Sequence, residues 1–271
     1  MTSFAIKIIA IIAMTLDHFA SIIGQVGLMK IIPGASFESV GWMIITANIL
    51  DSMNIIGRIA FPLFAFFIVE GTRKTRSLPR YICRLLTFAL ISEPFYYFGF
   101  KRDASWQGLL KSLSRLNFTN VFFTLALGAL AIYIFGLVEK RFPKRKWFIN
   151  IPVLLVIMFI ARRINCDYFY FGVLLIAGLY FAKEKKYQTI VIVVWSFLIY
   201  IFYQASFGVS WYSVSLNSVF NMISASLSSV FIWLYNGERG PKFKWGFYIY
   251  YPAHIALLTF LNFLISSLKP E

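Results

Sequence analysis

Long apolar runs separated by short polar connections recur along the whole chain. About 20 apolar residues in a helix cross the hydrocarbon core of a bilayer. By this criterion the sequence predicts nine spans, near residues 4–26, 54–72, 81–99, 119–138, 148–162, 168–182, 188–204, 216–235 and 246–266. The fifth and sixth runs are short, and residues 40–50 also suit a half-helix or a re-entrant segment, which leaves eight or ten spans as alternatives.

The composition agrees with a polytopic membrane protein. Of the 271 residues, 59% are hydrophobic and 14% are charged, and the mean hydropathy is +0.73. A soluble domain is less apolar and carries about 25% charged residues. No repeat of fixed period occurs, and the longest polar connection, residues 101–117, is too short for a folded soluble domain. We therefore predict an all-α transmembrane helix bundle, with residues 1–271 forming a single integral-membrane domain.

The basic residues are distributed as in a membrane protein whose N-terminus is cytoplasmic. The net charge is +15, from 26 Lys and Arg against 11 Asp and Glu. With this orientation, fifteen basic residues fall on the cytoplasmic side and eight on the outer side, as the positive-inside rule requires. Because the basic residues lie in short loops between apolar runs, the charge does not indicate a nucleic-acid partner. Neither the two cysteines nor the two histidines show metal-ligand spacing, so no metal site is predicted.

Apart from Arg162, which ends the fifth span and is counted with the outer loop, eight Asp, Glu, Lys, Arg and His side chains lie within the predicted spans. At mid-bilayer each charged group costs roughly 2.5 to 3.5 kcal/mol on insertion scales, so each requires a partner, a cavity or a function. Both histidines of the chain are among them. The eight residues are Lys7, Asp17, His18, Arg58, Glu70, Arg84, Glu93 and His254.

His18 is the candidate general base. It lies eleven residues after Lys7, so both side chains project from one face of the first helix, roughly 16 Å apart. Neutral imidazole is the side chain best suited to deprotonate an amine or a hydroxyl near neutral pH. The alternative is a packing histidine that hydrogen-bonds a neighbouring helix. Asp17 beside it doubles the insertion cost and so favours the functional interpretation.

Any residue that orients His18 must come from another helix. Successive residues of a helix point about 100 degrees apart, so Asp17 cannot do so directly. Glu93 and Arg58 are candidates for that partner. His254 lies about 12 Å into the last span, a depth at which it can meet His18 across the bundle. We expect these four residues to position His18 or to stabilise a developing oxyanion.

Basic residues cluster at the cytoplasmic ends of the second and third spans. Such a cluster suits the phosphates of a nucleotide-type cofactor, and a topology signal or contact with anionic lipid is the alternative. Glu70, at the edge of the cluster, either joins this site or pairs with one of its arginines. The cluster consists of Arg73, Lys74, Arg76, Arg80 and Arg84.

Several sequence blocks together resemble one protein family. The most specific is IGRIAFPLFAFFIVEGTR at residues 56–73. The others are IKIIAIIAMTLDH at 6–18, RLLTFALISEPF at 84–95, NVFFTLALG at 120–128, CDYFYFGVLLI at 166–176 and KWGFYIYYPAHIALL at 244–258. Through these blocks nearly the whole chain resembles the TraX family, which is named for the conjugative pilin N-acetylase.

The resemblance implies a donor and a site. TraX-like proteins are similar to a wider group of transmembrane acyltransferases whose first helix carries a basic residue, ten residues and then a catalytic histidine. Lys7 and His18 match that spacing. Residues 61–71 resemble the helix that precedes the basic cluster in those enzymes. The resemblance therefore implies acetyl-CoA as acyl donor and favours Arg73, Arg76, Arg80 and Arg84 as its binding residues. We include Lys7 and Glu70 in the predicted donor site.

Together these features predict an acetyltransferase of the bacterial cytoplasmic (inner) membrane. It would move an acetyl group from cytosolic acetyl-CoA to an amine or hydroxyl acceptor at or across the membrane, and His18 would either activate the acceptor or carry the acetyl group. A protein N-terminus, a surface glycan and a small amino sugar are all compatible acceptors. The alternative functions are a proton-coupled transporter, in which the buried Asp, Glu and His residues form a relay, and a structural scaffold.

Overall fold

The computed structural model describes residues 1–28, 37–100, 105–206 and 215–267. Within these ranges the regular structure is entirely helical, which confirms the all-α prediction. The helices are α1 (Ser3–Phe19), continued by a π-helix (Ala20–Leu28), α2 (Phe37–Gly57), α3 (Ala60–Lys74), α4 (Leu78–Phe100), α5 (Trp106–Ser114), α6 (Val121–Arg141), α7 (Lys146–Arg163), α8 (Phe169–Phe181), α9 (Lys185–Ser206), α10 (Leu216–Leu234) and α11 (Lys244–Ser267).

Eight of the nine predicted spans coincide with one continuous helical stretch to within three residues at their ends, and the second, residues 54–72, is helical on both sides of a turn. Six helical stretches in the described ranges are long and apolar enough to cross a membrane, and α8, with 13 residues, is a shorter apolar helix. A helix of that length rises only about 20 Å, less than the thickness of a bilayer core. The number of crossings and the cytoplasmic N-terminus therefore stay predictions.

The second predicted span contains a break in the helix. Residues 40–50 lie inside α2, a complete helix of 21 residues, and α3 follows it after a turn at Arg58 and Ile59. Gly57 ends α2 against α1, where a Cβ atom would lie 2.4 Å from the Asp17 Cβ. Glycine is required for this close approach, and it brings the break in the helix next to Asp17.

Connections that the sequence assigns to the cytoplasmic side meet at one end of the bundle. The N-terminal ammonium donates to the Leu234 carbonyl over 2.5 Å, and the Ser3 amide donates to Glu238 O over 2.8 Å. On the same end, Lys185 Nζ donates to Tyr235 O over 2.6 Å. We call this the basic end; it comprises the N-terminus and the α3–α4, α6–α7, α8–α9 and α10–α11 connections. At the opposite end, the α4–α6 and α7–α8 connections join through the bond from Asp167 N to Thr119 O, 2.9 Å long.

The helices around the C-terminal end of α1 create the candidate site. α1 packs on α2 and α3, its π-helical continuation packs on α11, and α11 packs on α4. The buried face of α1 consists of Ile6, Ala10, Ile11, Ala13, Met14 and His18. Apolar residues dominate this face, so His18 enters the core as a polar side chain among packed aliphatic ones.

Candidate active site

His18 and His254 form a direct hydrogen bond between α1 and α11. The His18 Nδ1 and His254 Nε2 atoms are 2.7 Å apart, and the two residues are 8% and 7% exposed. The ring planes are parallel within 3° and the centroids are 5.0 Å apart. Because the two nitrogens are so close while the centroids are far apart, the rings must meet edge to edge in nearly one plane. The structure thus brings the two predicted histidines together, and His254 occupies the partner position for which Glu93 and Arg58 were the candidates.

The hydrogen bonds of this pair determine which nitrogens carry protons. His254 Nδ1 lies 2.8 Å from the carbonyl oxygen of Tyr250, and a carbonyl only accepts, so this nitrogen is protonated. In a neutral imidazole the other nitrogen then accepts, so His254 Nε2 receives its bond from His18 Nδ1–H. His18 Nε2 is left with a lone pair, and it has no hydrogen-bond partner within the part of the chain that the structure describes. Such a nitrogen can act as a general base.

Asp17 forms an ion pair with Arg58 beside the histidine pair. The distance between Arg58 Nη2 and Asp17 Oδ1 is 2.7 Å. Arg58 occupies the turn between α2 and α3, and its Nε donates to the Asn54 carbonyl of the last turn of α2 over 3.2 Å. The break in the helix therefore directs the guanidinium toward α1. Asp17 neutralises Arg58, and as expected from its position on the helix it does not bond to His18.

These charges face an internal chamber. The side chains of Arg58 and Asp17 keep 28% and 19% of their surface accessible, although both residues lie deep in the bundle. We infer that this surface faces a space between the helices. Tyr96, Asp167 and Tyr168 are likewise deep in the bundle and half-buried. Asp167 and Tyr168 are electrostatic neighbours of both Asp17 and Arg58, and Tyr96 is a neighbour of Asp17 and Asp167. We infer that the five side chains border one internal space, which we call the central chamber.

A polar cavity lies next to the chamber on the side away from the basic end. Its volume is about 230 Å³, and Arg58 is one of the residues in its wall. Asn221 Oδ1 is buried there without a hydrogen-bond partner in the described part of the chain, and Asn217 Nδ2 lies 3.4 Å from Asp51 Oδ2. The cavity is lined by Ser21, Asp51, Asn54, Ile55, Arg58, Asn217 and Asn221. An apolar bundle thus contains a polar recess that extends to the Arg58 guanidinium.

Glu93 lies in a different network. It is 2% exposed, and Oε1 accepts bonds from the Thr119 amide and hydroxyl at 2.9 and 2.8 Å. Oε2 accepts from the Asn120 amide at 3.2 Å and from its Nδ2 at 2.6 Å. These four donors surround the N-terminus of α6, where a carboxylate is favoured by the helix dipole. The structure therefore places Glu93 as an anchor between α4 and α6, without a contact to His18.

Lys7 is surrounded by aromatic rings near the basic end. Its Nζ lies 5.0 Å from the Phe67 ring centroid and 5.3 Å from that of Phe247, within the range of cation–π attraction. Lys74 and Arg239 are electrostatic neighbours of Lys7. No carboxylate of the described residues forms an ion pair with Lys7.

Arg84 approaches the same turn of α11 from the other side. Its guanidinium lies 5.9 Å from the ring of Trp245 and 5.4 Å from that of Tyr248. Arg84 Nε is buried and has no hydrogen-bond partner among the residues that the structure describes. Together with the contact of Lys7 to Phe247, this places two cations on either side of the first turn of α11.

The remaining residues of the predicted donor site divide into two groups. Glu70 pairs with Lys74 at 2.9 Å and with Arg73 at 3.4 Å, which was one of the two alternatives for this residue. Arg76 and Arg80 are exposed at the basic end. Lys74 in addition donates to the Tyr235 hydroxyl over 2.8 Å. Part of the cluster is therefore held by contacts within the protein, and part is exposed at the surface.

Asp167 and the chamber tyrosines were not predicted as site residues. Asp167 is polar at a helix end, where solvation is usually available, and tyrosines are abundant in this chain, with 15 in total. Neither feature marks a site in the sequence. Only the packing of α4, α8 and α11 shows that these side chains converge on the chamber.

The sequence is similar to known proteins over most of its length. Residues 3–262 match the family described as TraX protein. The chain is also similar to the probable fimbrial assembly protein FimC, serogroup H1, of Dichelobacter nodosus, at 29% identity over 262 residues, which is 95% of this chain and 94% of the relative. No solved structure matches the chain.

Proposed function

Because the chain belongs to the TraX family, as its sequence blocks predicted, we propose that it is a membrane-embedded acetyltransferase that transfers an acetyl group from acetyl-CoA to an amine. The observation that carries the proposal is the His18–His254 pair, which leaves an unprotonated Nε2 on the buried His18, in the electrostatic neighbourhood of Arg58. A packing histidine would be satisfied at both nitrogens, whereas His18 Nε2 has no partner within the described ranges.

Lys7 and Arg84 are the residues best suited to hold the donor's phosphates. Burying a cation without an anion is costly, and both side chains are at least partly buried without an ion-pair partner among the described residues. A phosphate would supply that partner, and the N-terminal turn of α11 between them favours an anion. Arg76 and Arg80 extend this surface at the basic end, which the charge bias places in the cytoplasm. Bound acetyl-CoA would supply the thioester.

The residues of the chamber then have distinct roles in the transfer. His18 Nε2 takes a proton from the attacking nitrogen, and the bond to His254 Nε2 keeps the His18 proton on Nδ1, so that Nε2 stays basic. The Arg58 guanidinium offers N–H donors for the negative charge that develops on the carbonyl oxygen. Asp17 fixes the orientation of Arg58 through their ion pair. Glu93 supports α6 from outside the chamber.

A terminal amine of a pilin-like subunit is the acceptor that we propose first. A similar protein bears the name of a fimbrial assembly protein, and fimbriae are assembled from protein subunits that must pass the membrane. The polar cavity at Arg58 lies on the side from which such a subunit would arrive if the N-terminus is cytoplasmic. Transfer to the hydroxyl of a surface polysaccharide is the alternative.

Release of CoA by the purified protein tests this function. The full chain in lipid nanodiscs is given acetyl-CoA and a short peptide with an unblocked N-terminus, and free CoA is measured by chromatography because the exposed Cys83 would react with a thiol reagent. We expect peptide-dependent release that His18→Ala abolishes. Lys7→Gln and Arg84→Gln should raise the KM for acetyl-CoA, whereas Lys144→Gln, an exposed lysine of the same end, should not. A proton-coupled transporter would release no CoA in any of these samples.

A further inference from the structure

Asp167 is a carboxylate that the α7–α8 connection holds in the chamber. The connection contains three non-glycine residues with positive φ: Asn165 at 59°, Tyr168 at 58° and Phe169 at 42°. Such conformations cost of order 1 kcal/mol or more each and persist only where the surroundings enforce them. Here the surroundings do so, since Asp167 N donates to Thr119 O over 2.9 Å and the Thr124 hydroxyl donates to Asp167 O. Both anchors belong to α6 and the residues just before it.

No cation of the described residues forms an ion pair with the Asp167 carboxylate. Oδ1 accepts the Tyr168 amide over 3.0 Å, and Oδ2 has no hydrogen-bond partner within the described residues. Arg58 is an electrostatic neighbour of Asp167 but forms its ion pair with Asp17. The three charged groups of the chamber therefore sum to one negative charge, and the carboxylate oxygen that is not neutralised belongs to Asp167.

We propose that Asp167 binds the amino group of the acceptor, which enters the chamber as an ammonium ion. A carboxylate oxygen without a partner is the complementary group for N⁺–H donors, and the charge of the chamber favours a cation over a neutral hydroxyl. This assignment rests on the acetyl transfer proposed above and adds the residue that recognises the acceptor.

The protons of the transfer are accounted for with two bases. The ammonium loses its first proton to the Asp167 carboxylate, which passes it to water. The neutral nitrogen then attacks the thioester carbon, forming the N–C bond, while its second proton goes to His18 Nε2. The C–S bond breaks with its electron pair leaving on sulfur, and the thiolate takes that proton from His18. The products are the N-acetyl group, the free thiol and one proton.

Two physical properties of Asp167 suit this role. Burial raises the pKa of its carboxyl to about 6, so it is ionised at neutral pH and is also a better proton acceptor than an exposed aspartate. The groups around it are Asp17 on α1, Arg58 between α2 and α3, Tyr96 on α4, and Tyr251 on α11. Of these, only Arg58 is a cation, and Asp17 already compensates its charge.

Asp167→Asn tests the proposal, because asparagine keeps the size and one acceptor oxygen but removes the charge. The full chain in nanodiscs is assayed for CoA release with a hexapeptide that has an unblocked α-amino group and with its analogue carrying a hydroxyl in place of the amine. We expect the variant to raise the KM for the amine peptide by roughly tenfold or more and to leave the KM for acetyl-CoA unchanged. Glu184→Gln, an exposed carboxylate at the basic end, is the matched control and should change neither constant.

Binding of the amine peptide without acetyl-CoA, measured by thermophoresis, gives a readout that does not depend on turnover. Weakened peptide binding by a variant whose thermal unfolding shows it to be folded supports the proposal. An unchanged KM and unchanged peptide binding would overturn it, as would equal use of the hydroxyl analogue by the wild type. If the wild-type chain releases no CoA at all, the proposed acetyl transfer itself fails, which is a different result.

Discussion

The tautomers of the two histidines give the sharpest prediction. Because the chain contains only His18 and His254, ¹⁵N-histidine labelling yields just two imidazoles to assign. The hydrogen bonds require a proton on Nδ1 of both rings, with His254 Nδ1–H donating to Tyr250 O and His18 Nδ1–H donating to His254 Nε2. We therefore expect, at pH 7, two neutral rings with a protonated Nδ1 and an unprotonated Nε2.

Removing the partner ring should release this constraint. His254→Ala leaves the buried His18 Nδ1–H without its acceptor, at a cost of about 1 to 3 kcal/mol for an unsatisfied buried donor. The bond to His254 keeps the proton on Nδ1 and leaves Nε2 free to accept one. If its contribution of about 1 to 3 kcal/mol is lost from the transition state, the turnover rate should fall by about 5- to 150-fold. His254→Gln is the matched control, since its amide oxygen can accept the same proton and should restore most of the activity.

The assay is a long-range ¹H–¹⁵N correlation spectrum of the wild type and of both variants, with CoA release measured on the same samples. In His254→Ala the signal that remains belongs to His18 and should shift toward the form protonated on Nε2. A wild-type His18 that is protonated on Nε2, or doubly protonated at pH 7, would refute this arrangement of the histidine pair. Equal activity of the Ala and Gln variants would refute its role in turnover.

Three further predictions concern the polar residues around the histidine pair. Asp17→Asn should lower the free energy of unfolding by about 3 kcal/mol, because it leaves the Arg58 charge buried and unpaired. Thermal unfolding of the double variant with Arg58→Gln should recover part of that loss, whereas additive losses would argue against the pairing. Glu93→Gln should lower the free energy of unfolding by about 2 to 4 kcal/mol, since an amide cannot accept from all four donors at α6. CoA release below the melting temperature should persist, and loss of turnover in the folded variant would contradict an anchoring role. Asp167→Asn should be more stable than the wild type at pH 7 by up to about 3 kcal/mol. The carboxyl pKa is raised from 3.8 in the unfolded chain to about 6 in the fold, so the wild type loses stability as the pH rises from 4 through 6, and the advantage of the variant should vanish at pH 4. A stability difference between variant and wild type that does not depend on pH would show that burial does not raise this pKa.

The architecture could be predicted from the sequence because the bilayer imposes it. A span must be a continuous apolar helix to satisfy its backbone, so the position of each helix follows from local composition. The same constraint makes every charged or histidine side chain within a span conspicuous, which is why Asp17, His18, Arg58 and His254 could be predicted as candidate site residues. Their cost is evident in the sequence alone.

The pairing of these residues was decided by tertiary structure. Whether Glu93, Arg58 or His254 meets His18 depends on the rotation and relative height of four helices, and sequence spacing defines such positions only within one helix. The polar groups at the helix ends were beyond sequence reasoning for a second reason. Asp167 is inexpensive in an open loop and costly in a closed chamber, and only the strained α7–α8 connection, tied to α6, determines which of the two it occupies.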